Sequence, residues 1–472
     1  GMPTLRTSSK PTVRLDAPVS RLPLPRDEAT SRFRAPMRAR SRAVLAALGL
    51  ALGLCSACGS GEGQPGLDAS AKPAVSEAPA ASAASSGAAP VEPPPAPAED
   101  VFVGEGVARF APIAERPACS AASFELATYL MRGELALAGR GSGDSAEFAA
   151  SWLVQLKGKA QIGFAGFDGK ARRIARDRGI GNAREQAPKI YADAEAFTVL
   201  WFDAAGLAYA RPRWATEPAP EIEHLGAVRD VPPEDIGLAT TPSGALVAAS
   251  PFGTEGDQLS LFLLSTASDA ASKTRAVGIT KSAKKPRLPV VAADEGGYTV
   301  AWIEAGPGSV HATRFDAAGR ETSAGGVVRQ ASPGEVTAMS IVSIGAGASR
   351  LIWLESGRVL TRKLDASGKA DSPIHVLGKG RGPTAIPAGG DALVAWLAEG
   401  GGADGQLVLV RVGPEGPGPS GLRVSDGKTK VLDPPAMAMA GARLGLAWTE
   451  VMGPVISSKR AWLRSFDASC VD

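Results

Sequence analysis

From about residue 120 onward, the chain alternates short apolar runs with polar, glycine-rich turns. No apolar pattern keeps the 3.6-residue period of a long helix. Six of the eight Trp residues close such a run: Phe148 to Trp152, Phe197 to Trp201, Tyr298 to Trp302, Arg350 to Trp353, Leu393 to Trp396 and Leu444 to Trp448. A degenerate copy without Trp, Ala245 to Ala249, fills the gap in the series. Successive spacings lie between 43 and 53 residues, so one motif with a period near 50 is written seven times.

Most copies continue alike. A polar turn follows the Trp run, and a second run then ends in an Asp turn, as in Phe315-Asp316 to Gly319, Phe167-Asp168-Gly169, Leu364-Asp365 to Gly368 and Phe466-Asp467 to Ser469. Val412-Gly413 to Gly416 is a variant without the Asp. Asp suits turn entry because its side chain bonds the backbone ahead of it, and Gly accepts positive φ. A weaker run follows, such as Gly326 to Arg329, and another precedes the Trp run, such as Leu288 to Ala292. Four short strands repeated at this period predict an all-β fold over residues 101–472, a β-propeller of seven four-stranded blades. Each Trp is expected at the end of an inner strand, packed between blades. WD, kelch and sialidase Asp-box signatures are absent, and a β-helix or sandwich array is the competing architecture.

Ahead of the repeats the pattern changes. Residues 1–36 are rich in Pro, Arg and Ser without apolar period. Arg38, Arg40 and Arg42 then precede a twelve-residue apolar run, Ala43 to Leu54, which is too short for a spanning helix of about 20 residues and fits the core of a secretory signal. Ser56-Ala57-Cys58 follows. This segment resembles a bacterial lipoprotein signal, with residues 37–57 removed and Cys58 lipidated. Cys55 stands where that family prefers Leu. A signal works at a chain start, so Met37 is the expected start and 1–36 an untranslated or disordered extension. Residues 58–100, rich in Ala, Pro and Ser, hold too little apolar surface to offset chain entropy and read as a disordered tether. With its Trp-run and Asp-turn repeats, the whole chain resembles propeller lipoproteins of GC-rich Gram-negative bacteria. Gly59, rather than an Asp that would retain the protein at the inner membrane, implies an outer-membrane lipoprotein of the cell envelope, attached to the membrane through its lipid.

Charge changes meaning once the leader is set aside. The whole chain has 51 Lys and Arg against 48 Asp and Glu, a net charge of +3. Residues 1–57 hold ten basic and three acidic side chains, which leaves 41 against 45 from Cys58 onward, a net charge of −4. With the basicity confined to the leader, no nucleic-acid partner is expected. The basic runs Lys281 to Arg287 and Arg172 to Arg176 read as a solvated loop and an outer strand. Outside the signal the only cysteines are Cys119 and Cys470, at opposite ends of the repeats. An oxidising compartment makes their pairing the default. The last repeat stops where its fourth strand should start, and Ser123 to Met131, just after Cys119, can supply that strand. A disulfide closing about 350 residues would then stabilise the ring by about 4–5 kcal/mol on chain entropy alone.

Motifs for chemistry are sparse. His224, His311 and His375 lie far apart, and there is no nucleophile elbow or calcium loop. Gly421 to Thr429 has five residues between its glycines where a phosphate loop needs four. No catalytic residue, metal site or cofactor is assigned. The best constellation is positional. Asp203, Glu304, Glu355 and Glu450 stand two residues past a repeat Trp, or past its equivalent run, and Glu399 stands three past Trp396. On one rim of a propeller, such acids could bind a cation or a basic ligand, or they could simply bond their own turns. The function expected is a monomeric, lipid-anchored, non-enzymatic module that binds a protein or small ligand. The alternatives are a propeller glycan hydrolase or lyase, and a scaffold of an outer-membrane assembly complex.

Overall fold

The computed structural model describes residues 100–471 apart from breaks, the longer of which are 215–219, 226–235, 241–245, 252–258, 265–274, 281–285, 400–404, 426–429 and 452–458. The lipoprotein signal, Cys58, the tether up to residue 99 and the extension 1–36 lie outside the described residues, as do most of the basic run at 281–287 and the loop after Val451. Asp100, expected at the end of the disordered tether, is instead held by Arg329 and Arg362.

The described residues form seven antiparallel blades. Blade 1 runs through Leu130–Arg140, Glu147–Leu156, Lys159–Asp168 and Arg178–Asn182. Blade 2 uses Lys189–Ala192, Phe197–Asp203, Gly206–Ala210 and Glu223–Leu225. Blade 3 uses Gly237–Thr240, Leu246–Pro251, Leu259–Leu264 and Arg275–Thr280. Blade 4 uses Pro286–Asp294, Gly297–Glu304, Val310–Asp316 and Gly326–Arg329. Blade 5 begins with Val336–Gly345, Ala348–Glu355 and Arg358–Leu364. Its fourth strand is the first half of Ile374–Ala388, whose second half opens blade 6. Asp391–Ala398, Gln406–Gly413 and Ser420–Arg423 complete blade 6. The run-through strand leaves no loop between these blades, which accounts for the shortest Trp spacing, 43 residues, between Trp353 and Trp396.

Blade 7 closes the ring. Ala436–Ala440, Arg443–Val451 and Lys459–Asp467 come from the C-terminus, and Phe124–Thr128 from the N-terminal side is the fourth strand, with Phe124 opposite Leu463 and Thr128 opposite Arg460. The first strands of successive blades adjoin around the ring, including Ala436–Ala440 against Leu130–Arg140. Cys119 and Cys470 are disulfide-bonded, with Cα atoms 5.5 Å apart. The expected clasp is therefore present, strand and bond together.

The Trp run forms the second strand from the axis in each blade rather than the innermost one. The reason is that the channel-lining strand is the run preceding it in each repeat. All six Trp side chains are buried. Each packs across a blade boundary, as Trp353 of blade 5 does among Ala292, Ala301 and Val310 of blade 4. An indole lying flat against a neighbouring strand needs that strand's backbone close by. A Cβ on Gly163 would stand 2.6 Å from the Trp152 ring, so the third strand of blade 1 carries glycine there.

The Asp turns are one recurring device. Asp316 accepts the backbone N–H of Arg320 at 2.9 Å and its guanidinium at 2.8 Å, while the N–H of Gly319, at φ 79°, returns to the Asp316 carbonyl. Asp365 repeats this with Ser367, Gly368 and Lys369, and Asp168 with Lys170, Ala171 and Arg172. Burial acts to raise the Asp168 carboxyl, but the Arg172 and Lys170 amides and the Arg172 side chain outweigh it and hold the group below its ordinary value.

A strap not anticipated from the sequence precedes the clasp. Phe102–Val103 pairs in parallel with Ile374 and His375 on the outer edge of blade 5, and Arg109–Pro112 pairs in parallel with Ser420–Arg423 on that of blade 6. These additions cover edges that would otherwise offer unpaired backbone groups. Phe102 lies between the guanidiniums of Arg329 and Arg358, at 4.9 and 5.3 Å from its ring centre.

Candidate functional site

The acids two residues past the Trp take their positions from strand geometry. Residues i and i+2 share a face, so a carboxylate at that spacing lies beside the indole. Trp353 donates its indole N–H to Glu355 at 2.8 Å, and Trp448 donates to Glu450 at 2.7 Å. Glu355, 2% exposed, also accepts Arg329 through Nε at 3.2 Å and Nη2 at 2.7 Å. The other Nη of Arg329 donates to Asp100 of the strap at 2.8 Å, and Arg362 donates to the second Asp100 oxygen at 2.8 Å. The Glu355 and Asp100 carboxylates raise Arg329 further above its ordinary value, the hydrogen bond from Glu355 acting most strongly against desolvation. Asp203 lies 2.8 Å from His224 and accepts the N–H of Ala205 in its own turn. Glu399 is exposed at the end of its strand, its backbone N–H donating to Lys379.

Glu304 belongs to a cluster the sequence reading did not assemble. Ser309 Oγ lies 2.8 Å from His311 Nε2, and Glu304 Oε2 lies 3.5 Å from the same nitrogen. The His311 ring stacks on Trp302, with centroids 5.6 Å apart. A nucleophile–base–acid relay needs the hydroxyl and the carboxylate on opposite ring nitrogens. Here both address Nε2, so the geometry is that of a hydrogen-bonded pin. Burial lowers His311 below the usual histidine value, with Glu304 opposing, which favours the neutral ring at pH 7. Gly421, the start of the phosphate-like stretch, lies in an outer strand against Phe110 of the strap.

The first strands of all seven blades contribute to two cavities on the axis, of about 480 and 410 Å³. They share Lys189 and Leu238 in their walls. The walls combine Ala, Leu, Ile, Val, Pro and Met with hydroxyls from Tyr191, Thr240, Thr337, Ser340 and Thr384, and polar and apolar groups share their surface about equally. Among the described residues, neither wall includes a carboxylate, and Lys189 is the sole cation. Its Nζ donates to the Ile236 carbonyl of blade 3. Desolvation lowers the Lys189 ammonium to about 8. A narrow crevice lined by Leu200, Trp201, Phe202 and Leu207 opens beside it. The sequence reading passed over Lys189, whose only signal was a lysine in a first-strand run beside Ile190 and Tyr191.

Among the described residues there is no group of three or more metal-ligating side chains, and no helix is long and apolar enough to cross a membrane. No protein-family model and no curated protein matches the chain. Solved structures similar to it include the polysaccharide lyase Uly1, at 10% identity over 70% of this chain and 89% of that one, with a TM-score of 0.46. The fucose lectin of Aleuria aurantia, a six-bladed propeller, is 15% identical over 71% of this chain and 92% of its own, with a TM-score of 0.37. The Cps50 (Swd1) propeller domain of Myceliophteria thermophila is 11% identical over 72% of this chain and 99% of its own, with a TM-score of 0.42. The count of seven blades rests on this chain's own strand pairing.

Proposed function

We propose that this protein is a lipid-anchored propeller of the bacterial cell envelope that binds a small ligand in its central channel without transforming it. The observation that carries this reading is the channel wall around Lys189, a mixed lining of apolar side chains and hydroxyls with one ammonium whose charge no carboxylate of the wall balances among the described residues. Binding sites of this size combine an apolar wall with a small number of placed polar groups. The acids at the strand ends support the reading by exclusion, since Glu355 and Glu450 are occupied in holding indoles. The anchor is proposed from the Ser56-Ala57-Cys58 box, and the outer membrane from Gly59.

Native mass spectrometry of protein purified from envelope membranes tests the channel. Wild type should retain a small molecule that Ala136→Phe and Ala385→Phe, each filling one cavity, release. Equal retention in both variants would refute the channel as the site. For the anchor, Cys58→Ala should abolish incorporation of a clickable palmitate analogue and free the protein from membranes.

A further inference from the structure

The structure holds one charged group without a charged partner inside a cavity, and its surroundings say what would satisfy it. Lys189 leaves the inner strand of blade 2 and reaches the Ile236 carbonyl at the start of blade 3. An ammonium has three N–H donors, and that bond uses one of them. Both axial cavities meet at this side chain. Elsewhere in the fold, Arg329 is compensated by Glu355 and Asp100, Arg362 by Asp100 and Arg314 by Asp294 at 2.5 Å, while Arg350, buried away from either cavity, meets only the Gly413 and Pro414 carbonyls among the described residues. Lys189 is half-buried, and the desolvation of its uncompensated ammonium is why its proton is held weakly. An anion placed on Nζ would remove that cost and gain charge-assisted hydrogen bonds. The remaining wall mixes polar groups with apolar surface, with Leu135, Ile190 and Met437 in the first cavity and Leu288, Val291 and Met339 in the second. A compact, multiply charged anion would find no further cation there among the described residues, whereas an apolar chain would bury its surface favourably.

We propose that the channel binds an amphiphilic monocarboxylate, its carboxylate on Lys189 Nζ and its apolar body along the axial wall. This rests on the channel reading above and adds the class of ligand. The Thr240 and Thr384 hydroxyls line the same cavity as Nζ and offer donors to the second carboxylate oxygen. Tyr191 is the other titratable group in either wall. Because the carboxylate needs the protonated lysine, binding should be constant at neutral pH and weaken above about pH 8, where free Lys189 loses its proton.

The test is calorimetric titration of the full-length protein with decanoate, decanol and decyltrimethylammonium, using wild type, Lys189→Met, Lys189→Arg and the cavity-filling Ala136→Phe. Decanoate should bind wild type and lose at least tenfold in affinity in Lys189→Met, while decanol should be indifferent to that change. Lys189→Arg should keep decanoate and lose the weakening above pH 8. Decanoate binding that Lys189→Met leaves unchanged, tighter binding of the cationic probe, or no binding of decanoate at all would each overturn the proposal. If decanol and decanoate bind alike and Ala136→Phe blocks both, the anion class fails while the channel site stands. If Ala136→Phe blocks nothing, the channel reading fails with it.

Discussion

At the ends of the second strands, Glu355 and Glu450 are buried carboxylates whose oxygens are taken by an indole, and at Glu355 by a guanidinium shared with the strap. In the channel some strands away, Lys189 is half-buried, and among the described residues it meets one carbonyl and no carboxylate. Both places carry charge in a low-dielectric setting, where an unpaired ion is expensive. The acids are paired with donors, whereas the buried Arg350 guanidinium meets only the Gly413 and Pro414 carbonyls among the described residues. Lys189 is set apart by lying in a cavity, where an unbalanced charge marks capacity for a ligand.

Breaking the paired side should give the largest effect. Glu355→Ala leaves the Arg329 guanidinium and the Trp353 indole without their shared acceptor, and should cost about 3–5 kcal/mol in urea denaturation at pH 7. A cost under about 1 kcal/mol would show that solvent already satisfies this network and would erase the contrast. Next comes the clasp. Cys119→Ser with Cys470→Ser should cost about 2–4 kcal/mol, and wild type under reductant should match the variant. Measured against Glu355→Ala, it separates closure of the ring from pairing within it.

The unpaired side has the opposite sign. Lys189→Met should stabilise the protein by on the order of 2 kcal/mol at pH 7. The folded lysine has its proton affinity lowered to about 8 from 10.5. The unfolded chain therefore binds more protons between those values, and wild-type stability should rise as pH climbs through that window. The penalty is fully present below pH 8. Subtracting the Lys189→Met curve isolates this group, and a flat difference would mean that Lys189 is already neutralised. Smaller is the strap: Phe102→Ala removes the ring between Arg329 and Arg358, should cost about 1 kcal/mol, and should speed proteolysis of the strap. Smallest is Glu399→Ala, exposed and without an indole partner, which should stay within about 0.5 kcal/mol by thermal denaturation.

The repeat was legible because each blade needs the same local chemistry: a Trp run to fill the gap to its neighbour, an Asp to enter a turn and a Gly to leave it. Blade 3 was readable despite its missing Trp because Leu246–Pro251 kept the strand pattern at the right interval. The strap was not legible. Phe102–Val103 and Arg109–Pro112 are too short to carry a period, and they become strands only because the edges of blades 5 and 6 offer backbone partners. The acids were found by spacing, but spacing could not say which groups their oxygens would meet. Asp100, Arg329 and Glu355 are spread over more than 250 positions of chain and converge only at a blade boundary.

By itself the sequence determined the number of blades, the order of strands within each and the pairing of Cys119 with Cys470. All three follow from local patterning and from which segment was left over at each end. Tertiary structure decided which polar groups are satisfied, because that depends on the neighbours that ring closure brings together. It tied Glu355 to Trp353 and Arg329, set Ser309 and Glu304 on one nitrogen of His311, and placed Lys189 in a channel where, among the described residues, its charge has no carboxylate to meet.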